Sequence, residues 1–158
     1  MSKKTLVEYA KAVDADVRKF VEDVINDNAQ LSYITVAFLS EEASSKIKEL
    51  TGKETKGNRV VLDANAVRHI EKRHGLGGEH DQSMKSIDDL ARIGFVVDNY
   101  DEIVYEGKIS SGYSDENGNP SPLITIKKRI NGTYYVVEAV NSAKGCRNYI
   151  ISAFIKKA

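Results

Sequence analysis

The dipeptide Asn131–Gly132 constrains this chain more tightly than any other feature. It separates PLITIKKRI (122–130) from TYYVVEAV (133–140), two stretches rich in β-branched and aromatic residues. An Asn-Gly pair accepts the positive backbone angles of a two-residue turn, so the flanking stretches must pair as an antiparallel hairpin. Residues 102–109 and 147–156 read as strands by the same criteria. They join the hairpin through a Gly/Asn/Pro-rich loop, SDENGNPSP, and an NSAKG loop. Four strands therefore fill the last third of the chain.

The first hundred residues follow a different period. Leu6, Val7, Ala10, Val13, Val17, Phe20, Val21 and Val24 recur at three- and four-residue spacing, which predicts a helix over 3–28. Residues 32–39 (SYITVAFL) read as a strand. Ser40 caps a helix that runs to about Leu50 and stops at Gly52. NRVVL (58–62) is a short strand. Asp63 caps a helix over 64–74, ended by Gly75, and after a loop Ser86 starts another that runs to about Val97. Helices first and a meander last predict an α+β fold: N-terminal helices followed by a four-stranded antiparallel sheet. At 158 residues the chain is the size of one domain. The reading divides it into an N-terminal helical segment, 1–29, and a main domain, 30–158.

Charge excludes some functions and suggests another. Basic and acidic residues number 23 each, so neither a histone-like polybasic binder nor an acidic mimic is expected. The zero is a sum of unlike parts, however. Residues 63–121 carry a net −6 and residues 122–158 a net +6. That terminal basic segment holds Lys127, Lys128, Arg129, Lys144, Arg147, Lys156 and Lys157, with Glu138 as its only acid. A phosphate-bearing partner responds to such a local field; the simpler reading is a set of solvated strand edges. One cysteine, Cys146, fits a reducing compartment. No apolar run is long enough for a membrane span and no signal-peptide core is present, so a cytoplasmic address is expected.

His69, His74 and His80 fall within twelve consecutive residues. Histidine titrates near neutrality, so the cluster invites acid–base chemistry. Five residues separate His69 from His74, about 140° around a helix, so the two do not share a face. With no cysteine pair and no i,i+4 histidine motif, neither a metal site nor a cofactor is expected. Ala66, Val67 and Ile70 mark the buried side of the helix, with His74 on it. His69 and Arg73 share one flank, where a neutral histidine and a bidentate guanidinium would suit a phosphate. An ordinary packing histidine and a surface ion pair are the alternatives.

The strings RHIEKRHG (68–75), EHDQSM (79–84) and LARIGFVVDNYDEI (90–103), then PLITIKKRINGTYYVVEAV (122–140) and YIISAFIKK (149–157), resemble a group of phage-encoded nuclease-like domains. The group is the C-terminal toxin-type domain of phage MuF-type head proteins, within the barnase–EndoU–colicin–RelE (BECR) class. The resemblance implies metal-independent ribonuclease activity and a four-stranded sheet. It implies active residues on the histidine helix and the last strand: His69, Arg73 or His74, and Ser152, with Glu138 as a strand carboxylate. It also implies RNA as substrate, tRNA among the candidates, and an immunity or antitoxin partner, with delivery into a target cell as one route.

In such chemistry the ribose 2′-OH attacks the adjacent phosphorus, one group removes its proton and another protonates the leaving 5′ oxygen. Cations stabilise the transition state. Alternation places Ser152 with Ile150, Phe154 and Lys156, and Thr125 with Lys127 and Arg129. If these faces coincide, Lys127, Arg129 and Lys156 form a substrate-binding floor beneath the histidine helix, with Tyr134 and Tyr135 available to stack bases. The alternatives are a non-catalytic RNA- or protein-binding module of phage or mobile-element origin and a phage assembly role. A buried His74 with His69 facing solvent would favour the binding module.

Overall fold

The computed structural model describes residues 3–141 and 146–157. Two helices open the chain, α1 (Lys3–Lys11) and α2 (Ala15–Ile25). The periodicity predicts one helix here, but Asp14 divides it. Its backbone is extended and its carboxylate accepts the amides of Asp16 and Val17. Such an N-cap stabilises a helix start by about 1 kcal/mol, and a continuous helix would forgo it.

Next come β1 (Tyr33–Phe38), α3 (Glu41–Thr51), β2 (Arg59–Asp63) and α4 (Ala64–His74). Their boundaries follow the expected signals: Ser40 accepts the amide of Ala43, Gly52 is left-handed, and Asp63 accepts the amide of Ala66. The helix expected from Ser86 to Val97 is two, α5 (Ile87–Ala91) and α6 (Ile93–Asp98), meeting at Arg92. The meander follows: β3 (Glu102–Ser114), β4 (Pro120–Arg129), β5 (Thr133–Asn141) and β6 (Arg147–Lys156). β3 continues past Ile109, where the sequence pattern ends it. Lys144 and most of the NSAKG loop lie outside the described residues.

The sheet has six strands in the order β1-β2-β6-β5-β4-β3, which corrects the expected four-stranded antiparallel sheet. The meander β3 to β6 is antiparallel as expected. β2, however, pairs with β6 in parallel, and β1 pairs with β2 antiparallel. β2 has Val60, Val61 and Leu62 fully buried, as in a strand covered on both faces.

Helices cover one face. Val17, Phe20, Val21 and Val24 of α2, Ile70 of α4 and Val96 of α6 share one core with Leu62, Ile126, Tyr134, Val136 and Ile150 of the strands. The first two helices thus belong to the same core as the meander. The sheet curls around α6, which packs against β1 as well as β4 and β5. Gly94 permits this approach, because a Cβ there would lie 2.4 Å from the Val36 carbonyl oxygen. Among the described residues, no helix is long and apolar enough to cross a membrane.

Candidate functional site

Strand register assigns every side chain of the meander to a face. Ile124 pairs with Glu138 and Ile126 with Val136, both toward the helices. Thr125 pairs with Val137 and Lys127 with Tyr135, both toward the outer face. Across β6, Val137 faces Ser152 whereas Glu138 faces Ile150, so a bulge at Ile151 interrupts the alternation. Ser152 therefore lies on the outer face with Phe154 and Lys156. Ile150, grouped with Ser152 by simple alternation, faces the core instead.

A continuous aromatic and basic line occupies this outer face. Tyr135 and Phe154 stack at 5.0 Å across β5 and β6. The ammonium of Lys156 lies 5.4 Å from the Tyr135 ring and 5.6 Å from the Phe154 ring, and that of Lys127 lies 5.5 Å from Tyr135. Arg129 lines a small cleft with Lys127, Thr133 and Tyr135. Tyr134, the other candidate for base stacking, is fully buried and donates to the Asp89 carbonyl at 2.7 Å, so only Tyr135 serves this face.

α4 brings one histidine to the line. β2 pairs only with the first half of β6, so the second half, joined to β5 on one edge, has no strand on the other, and α4 packs there instead. The loop after α4 closes the same edge, where the Ile155 amide donates to Ser83 Oγ at 3.0 Å. In the last turn of α4, His74 is 5% exposed and its ring lies 5.2 Å from Phe154. Its Nδ1 is 3.0 Å from Asp81 Oδ1. His80 is exposed, lies edge-on to His74 at 5.6 Å, and has its Nε2 3.9 Å from Asp81 Oδ2. Burial alone would raise Asp81, but hydrogen bonds from the Ser83 amide, the Ser83 side chain and His74 hold it below the usual carboxylate range.

His69 and Arg73 lie on the exposed flank of α4. Among the described residues their side chains make no hydrogen bond, ion pair or ring contact. Partial burial, reinforced by the charges of Arg73, His74 and Lys72, pushes His69 below the ordinary histidine value, so it is neutral at pH 7. His74 rather than His69 is the histidine that touches the strand cluster.

Glu138 is fully buried on the helix side and so lies across the sheet from Ser152. Burial pushes its carboxyl up to about 8, partly offset by a weak bond from Asn148. The two residues cannot act on one phosphate. Of the +6 segment, Lys127, Arg129 and Lys156 share the outer face, but His69 and Arg73, expected beside them, are not among their contacts. Lys127 and Lys128 also pair with Glu102 and Asp101 at 3.4 and 3.3 Å, and Arg147 sits at the far end of β6. His80, Asp81 and Phe154 are the members that sequence reasoning did not assign. The adjacency of His80 and Asp81 in the histidine-rich stretch was the available signal. No group of three or more His, Cys, Asp or Glu among the described residues could hold a metal ion.

No curated protein and no solved structure matches the chain. Residues 37–157, most of its length, match the family model described as "phage-Barnase-EndoU-ColicinE5/D-RelE like nuclease3". That interval runs from β1 to the end of β6 and so holds both the histidine helix and the aromatic line. The chain belongs to this family of phage nuclease-like domains.

Proposed function

We propose that the chain is a metal-independent endoribonuclease of the toxin or effector type that handles RNA on the outer face of its sheet. One observation carries the reading: Lys127, Tyr135, Lys156, Phe154, His74 and His80 form an unbroken line on that face. The half-exposed pair Tyr135 and Phe154 offers its free ring surface to an unpaired base, at about 1–3 kcal/mol per stacked base. Lys127, Arg129 and Lys156 meet the phosphates.

The chemistry needs two proton-transfer groups and one charge stabiliser. Asp81 accepts Nδ1–H of His74 and so leaves Nε2 as the basic atom. In this reading His74 serves one transfer and the exposed His80 the other. Ser152 donates to a non-bridging oxygen, and Lys156 balances the charge that develops there. A MuF-type origin, a tRNA target in the cytoplasm and a cognate immunity protein belong to the same proposal.

A non-catalytic RNA-binding module is the second reading. It is favoured by the burial of His74 while His69 faces solvent. Incubation of the protein with total tRNA in EDTA separates the two. Cleavage that persists in EDTA and falls at least 100-fold in His74→Ala or His80→Ala supports the nuclease. Cleavage lost only in His69→Ala moves the centre to the exposed flank of α4 with Arg73. RNA binding without cleavage of any RNA establishes the second reading.

A further inference from the structure

The far end of the same outer face holds a second cleft of about 490 Å³, walled by Ser32, Tyr33, Asp63, Arg68, Arg147 and Tyr149 among others. Arg147 is held in place there. Its guanidinium lies 4.4 Å over the Tyr33 ring, donates to Tyr33 Oη at 2.7 Å, and is 3.5 Å from Tyr149 Oη. Tyr149 is itself fixed by stacking on Tyr113 at 4.6 Å. All of these partners are neutral, and among the described residues neither Arg147 nor Arg68 has a carboxylate partner. Arg147 Nε is buried with no acceptor among them. Asp63, the acid in the wall, already accepts the Ala66 amide on Oδ1 and the Tyr113 hydroxyl on Oδ2. The cleft therefore holds two guanidinium groups from different elements, neither ion-paired, one of them immobilised, against the single carboxylate of Asp63, whose oxygens are already taken by neutral donors. Such a pair recognises an anion with several oxygens.

We infer that this cleft is a phosphate-binding subsite, with Arg147 and Arg68 as its ligands to the phosphate oxygens. Resting on the reading of the outer face as an RNA surface, it binds a phosphate upstream or downstream of the one at His74. Arg147, Tyr149, Ser152, Phe154 and Lys156 all lie on one face of β6. At about 3.3 Å per residue, the cleft and the aromatic line are roughly 20 Å apart, within reach of one short single strand.

The test uses the full chain and two probes that cannot be cleaved: a 2′-O-methyl RNA hexanucleotide and inorganic phosphate. Arg68→Ala changes an exposed residue and leaves the fold intact; Arg147→Gln is paired with it after a thermal melt. Each substitution is expected to weaken hexanucleotide binding at least 10-fold and to reduce the log–log salt slope by about 0.7. Loss with the hexanucleotide alone assigns the subsite to an internal phosphodiester. A shift of the Arg147 Nε–H resonance by inorganic phosphate assigns it to a terminal or free phosphate. Wild-type binding of both probes by both variants overturns the inference. Because neither readout depends on cleavage, a protein that cuts no RNA still decides it.

Discussion

Glu138 shows how far a single residue can depart from its sequence reading. It is the one acid among residues 122–158, which singled it out as a general base. The alternation of β5 turns it inward with Tyr134 and Val136, and the bulge in β6 sets Ile150 opposite it, so it lies between Ile124 and Ile150 in the core. Its nearest polar neighbour is Asn148, which in turn accepts from Asn58 at 3.0 Å, and Oε2 has no partner among the described residues. The native carboxyl titrates near 8 against 4.5 ordinarily. Below about 4.5 both folded and unfolded chains are protonated. Between 4.5 and 8 only the unfolded chain releases the proton, so stability falls as pH rises, by up to about 1.4 kcal/mol per unit. Glu138→Gln should therefore raise Tm little at pH 4.5 and by several degrees at pH 8, measured by thermal denaturation. A Tm gain independent of pH would show that the carboxyl does not titrate this way.

The decisive element is the loop 75–85 with α4 and β6. Read from sequence it is a polar connection carrying one histidine. In the fold it seals the free edge of β6, and its Asp81 joins His74, His80 and the Ser83 amide. That arrangement was partly legible: the caps of α4 and the buried placement of His74 followed from spacing alone. The loop's return to the edge was not, because it depends on β2 ending before β6 does. Asp81 is held below the usual carboxylate range. Its anchoring is thus present above the ordinary carboxylate pKa and lost as pH falls through the lowered native value. Hydrogen exchange at the Ser83 and Ile155 amides should accelerate as pH falls below the usual carboxylate range, ahead of global unfolding, and Asp81→Asn should show the fast rate at pH 7 as well. Equal protection below that range and at pH 7 in the wild type would remove Asp81 from this role.

At the scale of the whole molecule, core and charge do not follow the sequence segments. Tyr9, Val17, Phe20, Val21 and Val24 are buried in the same cluster as the strands, although the family match begins only at residue 37. Deleting residues 1–29 should abolish the cooperative melt, because it strips one wall from the core; a truncated chain with an unchanged Tm would make the segment a true accessory. The net zero likewise resolves in space. Glu102 and Asp101 pair with Lys127 and Lys128, and Asp101 also accepts the Arg129 amide and lies within reach of its charge, while Lys156, Arg68 and Arg147 form no ion pair with a carboxylate among the described residues. The outer face therefore keeps a positive field that the total conceals.

By itself the sequence determined the local structure: the Asn131–Gly132 hairpin, the caps at Ser40 and Asp63, the strand meander and the two-sided nature of α4. These depend on neighbours a few residues away, through turn geometry, capping bonds and hydrophobic period. Only the tertiary structure decided which strands meet, that β2 runs parallel beside β6, and that a bulge separates Ser152 from Glu138. It also chose His74 over His69 as the histidine on the aromatic line. Each of these depends on pairings between residues tens of positions apart, and a strand's own residues carry its period but not the identity of its neighbour.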